Sequence, residues 1–325
     1  MTTSTNKVLI TGGFGYLGGR IAGYLTEYAP ELPIRLMTRR KVDDIPDWAQ
    51  DLDVVTADLS DRLSLDKALI GVDTVVHLAA MNEVDCQADP NLALEINGQG
   101  TYRLLEACRD HGVNRFVFFS TFHVYGPQAN QPITELTATT PIHPYSITHR
   151  LAEDYVNLWR YNHGLDSLII RLSNGYGYPA DAHVQRWTLV FNDLCSQAVE
   201  NGEIVLRSSG KQQRDFITLH DVGRGVHHLL NLPVSEWQDG LFNMGGDRSF
   251  SILEAAHQVA SEFQKKYGRD VPISTGPARA NETSKPVQFS IDKLKDTGFY
   301  LVGDMSQEIQ RTFQVCEQRL LSKNN

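Results

Sequence analysis

The sequence predicts an α/β fold, a doubly wound parallel sheet with a smaller, interleaved α/β unit. Three features carry that expectation. From residue 7 to about 172, short apolar runs rich in β-branched residues alternate with segments of helical period. A glycine-spaced turn follows the first run directly, and the alternation loosens after residue 175.

The successive strand-like runs are KVLIT, IRLMT, DVVTA, DTVVHLA, RFVFFS and DSLIIRL. Each is largely apolar, as strands covered on both faces must be. The helix expected from NGQGTYRLLEACRDHG places Leu104, Leu105 and Cys108 on one side and Gly112 at its C-terminal end. The stretch HPYSITHRLAEDY, residues 143–155, opens another helix and puts Tyr145 and His149 on one face, one turn apart. After residue 175 come the loop GYGYPADAHVQ, a long helix around 186–201 and the strand-like EIVLRSS. The chain returns through DFITLHDVGRGVHHLLN and ends in helices near 251–267 and 305–320.

Bulk properties exclude several functions. The 325 residues carry a formal charge of −9 with no basic run, so a nucleic-acid partner is not expected. Cys86, Cys108, Cys195 and Cys316 are far apart and form no CxxC pair, which fits reduced thiols in a cytoplasmic compartment. No apolar run approaches the roughly 20 residues of a membrane span, and the polar start MTTSTNK is no export signal. A soluble, cytoplasmic protein is expected. The histidines are scattered, and the adjacent His227 and His228 cannot aim at one ion from one helix face, so no metal is expected.

The segment VLITGGFGYLGGR sets Gly12, Gly15 and Gly18 between strand and helix. Glycine suits a tight turn where backbone approaches a pyrophosphate and helix packs on strand, and the helix N-terminus offers free amides. A dinucleotide is therefore expected in a Rossmann-type domain of residues 1–175 plus about 215–245. Residues of about 176–214 plus 246–325 would form the substrate-binding domain. The second strand ends in Thr38-Arg39-Arg40 without the carboxylate that would hold an adenosine ribose. Two guanidiniums suit a 2′-phosphate and favour NADP, whereas two solvated surface arginines would leave the cofactor as NAD.

These motifs resemble, over nearly the whole chain, an extended short-chain dehydrogenase/reductase of the nucleotide-sugar epimerase/dehydratase family. The resemblance rests on TGGFGYLG, Asp58-Leu59, His77-Leu78-Ala79-Ala80, Asn97 in NGQGT, FFSTFHVYG, RLSNGYG and QRDFITLHDV. It implies cofactor contacts from Gly12, Gly15, Tyr16, Leu17, Gly18, Thr38, Arg39, Arg40, Asp58, Leu59, Leu78, Ala79, Ala80, Asn97, Tyr145 and His149. It makes Thr121 the active-site hydroxyl and Tyr145 the phenol that exchanges a proton with the sugar. Thr121, His123, Asn174 and Arg214 would meet the substrate, Arg214 through a pyrophosphate unless it pairs with Asp215. Arg279 and Lys285 would stand in for a further phosphate-binding arginine. A homodimer built on two helices per subunit is implied, while the amphipathic helices near 91–111 and 145–163 are equally consistent with packing inside the domain.

One position departs from the family pattern Tyr-x-x-x-Lys, because here the segment is Tyr145-Ser146-Ile147-Thr148-His149. A free phenol has a pKa of about 10, and the family's lysine both holds the nicotinamide ribose and stabilises the phenolate. A neutral histidine can hold the ribose but supplies little of that field, unless Glu153, one turn on, raises its pKa; an acidic residue there in the family makes Glu153 ordinary scaffold as the alternative. Thr121-Phe122-His123 stands where dehydratases carry Thr-Asp-Glu, which disfavours dehydration. The expected function is hydride transfer between NAD(P) and a nucleotide-activated sugar, as reduction of a 4-keto-sugar. The alternatives are a 4-epimerase with retained NAD and, in another class, a cofactor-binding sensor or scaffold with little turnover.

Overall fold

The computed structural model describes residues 6–41, 45–127, 132–278 and 284–323. Its main sheet uses seven parallel strands: β1 (Lys7–Thr11), β2 (Ile34–Thr38), β3 (Asp53–Thr56), β4 (Val72–His77), β5 (Arg115–Thr121), β6 (Asp166–Leu172) and, late in the chain, β10 (Leu241–Met244). Their order is β3-β2-β1-β4-β5-β6-β10. The order reverses between β1 and β4, the switch point at whose C-terminal strand ends doubly wound sheets bind their ligands. Helices cover both faces, which is why Leu9, Ile10, Val75, Val76, Phe116 and Val117 are all buried whichever way they point.

The helices of the first half are α1 (Tyr16–Tyr28), α2 (Arg62–Ala68), α3 (Glu83–Ala88), α4 (Pro90–Ala93), α5 (Gly100–Asp110) and α6 (Pro144–His163). The helix expected from residue 97 differs at its start: Leu94–Gln99 is a π turn joining α4 to α5. There Gly100 N–H bonds to Glu95 O, five residues back, a wider turn than side-chain periodicity distinguishes from an α-helix. The π turn packs tightly on α6, where a Cβ at Gly98 would meet Leu151 at 2.9 Å.

A second unit is built from β7 (Asn174–Tyr176), α7 (Val190–Asn201), β8 (Ile204–Leu206), β9 (Gln213–Thr218), β11 (Ser249–Ser251), α9 (Ile252–Tyr267) and β12 (Ile273–Thr275). β9 lies between β7 and β11, and β12 pairs with β8. α8 (Leu219–Asn231) packs on α1, so the chain crosses back to the main sheet immediately after β9 and again at β10. The short α10 (Asp292–Lys295) packs on β10, and α11 (Met305–Lys323) on α7 and α9. A separate apolar core unites Phe191, Leu194, Phe263 and Phe313 from these three long helices.

The two units are pinned by a buried ion pair. Arg20 of α1 donates to both oxygens of Glu308 on α11 at 2.7 and 2.8 Å and to Tyr178 O at 2.8 Å. The same carboxylate accepts His220 N–H at 3.1 Å, which satisfies more of its lone pairs. No helix among the described residues is long and apolar enough to cross a membrane.

Candidate active site

The glycine turn has the geometry its residue types require. Gly12 is at φ +66°, and a Cβ on Gly18 would lie 2.2 Å from Gly12 O, so α1 approaches β1 as only glycine permits. Gly15 is the N-cap of α1 and offers no side-chain acceptor, so the first amides of the helix are left for an anionic ligand. Leu17 packs partly buried against the core. The Tyr16 hydroxyl donates to Gly177 O at 2.7 Å and lies 3.1 Å from Asn192 Oδ1, which leaves its main chain at the first turn of α1 for a cofactor contact.

A chain of buried hydrogen bonds fixes the floor beside this turn. Thr101 Oγ1 donates to Asn97 O, so His77 Nε2–H donates to Thr101 and Nδ1 accepts from Thr11. Thr11 Oγ1 then accepts the amides of Leu78 and Ala79. Burial holds His77 neutral, with its pKa pushed down to about 3. Asn97 accepts Met81 N–H at 2.7 Å and donates to Thr148 at 3.1 Å, which ties β4, the π turn and α6 together. Leu59 packs against Gly100, and Ala80 is exposed at the rim.

The candidate reaction centre lies where β5 ends and α6 begins. His143 Nδ1 accepts Ser146 N–H and Ser146 Oγ accepts His143 N–H, a reciprocal cap that fixes the first turn carrying Tyr145. Thr121 lies near enough to Tyr145 to act on its phenol. The Tyr145 pKa is raised above the ordinary phenol value by burial first and by the Glu83 carboxylate second, while Arg186 and Thr121 pull the other way. His149 lies with its ring 4.1 Å from that of Tyr145 and stacks on Phe118 at 6.0 Å. Its Nδ1–H donates to Tyr145 O at 2.8 Å, which leaves Nε2 as an acceptor. Burial lowers the His149 pKa to about 4, so near neutrality the ring is an acceptor without charge. The pairing expected between Glu153 and imidazolium does not form. Glu153 is chelated by Arg171 at 2.7 and 2.9 Å and accepts from Ser120 at 2.5 Å, a wholly buried scaffold pair.

The residues expected to meet a substrate come from both units. The His123 ring packs on Phe122 at 4.1 Å, meets His143 at 5.2 Å and lies 6.3 Å from Tyr145, with its pKa lowered to about 4 chiefly by burial. Asn174 donates to Asp215 O at 2.8 Å. Arg214 donates to Gln212 at 3.1 Å, and its charge acts on His123. It forms no pair with Asp215, because neighbours in a strand point to opposite faces. Asp215 instead accepts the amides of Gly246 and Arg248. Sequence reasoning missed Glu83 and Arg186, joined at 3.1 Å, whose charges both act on Tyr145. No local motif marks them, since they lie 103 residues apart. Arg279 lies outside the described residues, and Lys285 is exposed.

The sequence model of the NAD dependent epimerase/dehydratase family matches residues 8–245. The chain belongs to that family. It is similar to an uncharacterised UDP-glucose epimerase, YtcB, of Bacillus subtilis, 28% identical over 298 residues, covering 86% of this chain and 87% of the relative. A putative UDP-glucose 4-epimerase of Methanocaldococcus jannaschii is 29% identical over 312 residues, covering 94% and 96%. Among solved structures, the UDP-glucose 4-epimerase of Thermus thermophilus in complex with NAD superposes with a TM-score of 0.78 at 24% identity, covering 96% of this chain and 99% of that one.

As a member of the NAD-dependent epimerase/dehydratase family, the chain is an enzyme of the short-chain dehydrogenase/reductase type with a Rossmann fold. The residues present fit a dinucleotide: a glycine cradle, the free amides of α1 and the unpaired Nε2 of His149 lie along the sheet's C-terminal edge. At the adenosine end Arg39 is exposed, and Arg40 lies over Phe14 at 5.9 Å. Among the described residues no hydrogen bond or ion pair holds either guanidinium. Thr38 Oγ1 accepts Arg40 N–H and is spent on the turn. Asp58 bonds Ser60 through both hydroxyl and amide, which holds its carboxyl below the usual range with help from Arg39.

Proposed function

We propose that the protein is a 4-epimerase of a nucleotide-activated hexose that retains NAD. The observation that carries this reading is Tyr145 at the start of α6, with the His149 ring 4.1 Å away and Thr121 at the end of β5 acting on the phenol. Bound nicotinamide supplies a reversible two-electron acceptor. Tyr145 would take the proton of the sugar hydroxyl as that carbon is oxidised and return it to the same oxygen when the carbon is reduced on its opposite face, and Thr121 would orient the oxygen. His149 Nε2 would accept a ribose hydroxyl, and Arg214 would meet the diphosphate. The family match and relatives named as UDP-glucose epimerases support this reading over one-way reduction.

A second reading, reduction of a 4-keto-sugar by NADPH, is favoured by the uncharged His149 and the raised Tyr145 pKa, because a protonated phenol is the donor that reduction needs. Arg39 and Arg40 would then take the 2′-phosphate. Exposed Leu92, Leu94, Ile147 and Leu158 on α4, the π turn and α6 support dimer formation through these helices. Mass spectrometry of nucleotides released on denaturation, with conversion of UDP-galactose to UDP-glucose without added cofactor, tests the choice. Bound NAD and conversion establish the epimerase. An empty site that prefers NADPH, with no conversion, replaces it by the reductase.

A further inference from the structure

Three imidazoles gather around the ring of Tyr145, and the ribose contact accounts for only one of them. His149 lies 4.1 Å away, His143 stacks at 6.2 Å with 15° between the ring planes, and His123 meets the phenol edge to face at 6.3 Å. His143 and His123 also pack on each other at 5.2 Å.

His143 is an uncommon residue for its place. It is the N-cap of α6, where serine, threonine, asparagine and aspartate are preferred because a short side-chain oxygen reaches the amides of the first turn. Here Nδ1 takes that part and accepts Ser146 N–H at 3.3 Å, while Ser146 Oγ accepts His143 N–H at 3.3 Å and donates to His143 O at 2.9 Å. Tyr145 lies between the two residues that lock each other. A carboxamide could make the same cap, so what the imidazole adds is the face that it lays against the phenol ring. The cap holds the Tyr145 backbone, and the stacked ring restricts its side-chain torsions.

We propose that His143 is a positioning residue for the proton-transferring phenol, holding the Tyr145 backbone through Nδ1 and the Tyr145 ring through its own. The inference rests on the nucleotide-sugar reading above, in which Tyr145 carries the proton. It has a signature that a carboxamide cap lacks. With Nδ1 accepting, the neutral ring carries its hydrogen on Nε2, and a further proton goes to Nδ1. The imidazolium cannot accept Ser146 N–H, so acid opens a cap that the neutral ring closes. The ionisable groups around His143 are His123 beyond β5, Tyr145 and His149 of its own helix, and Glu83 of α3. Burial lowers the His143 pKa and outweighs the opposing charge of Glu83. The cap is therefore complete above pH ~6.5 and is lost as pH falls.

The test follows conversion of UDP-galactose to UDP-glucose from pH 8 to pH 5 in the wild type, His143→Asn and His143→Phe, with folding checked by circular dichroism and thermal unfolding. Asparagine keeps a cap and removes the ring, whereas phenylalanine keeps a ring and removes the acceptor. At pH 8 each variant should lower kcat about tenfold with KM within about threefold of wild type, because a misplaced phenol slows the chemistry and leaves substrate binding intact. As pH falls the wild-type kcat should decline reversibly, and the decline should be shallower in His143→Asn, whose amide oxygen accepts throughout. A residue that only capped the helix would be replaced by asparagine without loss. Wild-type kcat in a folded His143→Asn, or a pH profile that superposes on the wild type, therefore overturns the inference and leaves the epimerase reading standing. If His143→Phe does not fold, His143→Asn decides alone. A wild type that converts no UDP-galactose ends the epimerase reading, and the inference falls with it.

Discussion

Replacing His149 by lysine tests how this active site manages without a cation. The ring lies 4.1 Å from the Tyr145 ring and is uncharged near neutrality, since burial lowers its pKa to about 4. A full charge about 4 Å from a phenolate is worth about 4 kcal/mol at an effective dielectric of about 20, or about three pKa units. That figure is an upper bound, because the new ammonium is itself desolvated in a site where His149 is only 4% exposed. A fall of about one to two units in the Tyr145 pKa is the expected net effect. The phenolate form is populated above that pKa, so the pH profile for sugar oxidation should move to lower pH and the rate near neutrality should rise. Reduction uses the protonated phenol and should change little. The assay follows nicotinamide absorbance in both directions against pH, with cofactor affinity measured in parallel. Unchanged profiles in a variant that folds and binds cofactor would refute the electrostatic argument.

Three further outcomes follow from the same geometry. Gly18→Ala places a methyl 2.2 Å from Gly12 O, so dinucleotide binding should fall below detection by calorimetry while far-ultraviolet circular dichroism stays near wild type; binding within threefold of wild type would contradict the close-approach argument. Glu153→Gln leaves the buried Arg171 without its counter-ion and should cost about 3–5 kcal/mol in denaturant unfolding, and a loss under 1 kcal/mol would show that the pair is not structural. Acid should destabilise the fold through His77 and His149, whose native pKa values of about 3 and about 4 lie below the unfolded value of about 6.5. Between those limits the unfolded chain binds more protons, so this contribution is complete above pH ~6.5 and is lost as pH falls, at about 1.4 kcal/mol per pKa unit for each group. Unfolding midpoints that stay flat from pH 7 to 5 would exclude it.

The sequence by itself determined six of the seven strands of the main sheet, the glycine turn and the chemical types at the candidate site, while β10 comes from late in the chain and carried no such reading. Those features rest on short-range rules: apolar runs mark strands covered on two faces, glycine marks a turn at positive φ, and four-residue spacing puts Tyr145 and His149 on one helix face. Tertiary structure decided the rest. The local spacing of Glu153 from His149 is the same whether or not they pair, and only the approach of Arg171 and Ser120 from β5 and β6 commits that carboxylate elsewhere. Tyr16 lies in a cofactor motif, yet its hydroxyl is claimed by Gly177 and Asn192 of the second unit. The charge state of His149 depends on how deeply α6 is buried, a quantity absent from any window of sequence. Glu83 and Arg186 meet across 103 residues of chain, because crossover connections bring distant segments to one end of the sheet and no local pattern encodes which of them will touch.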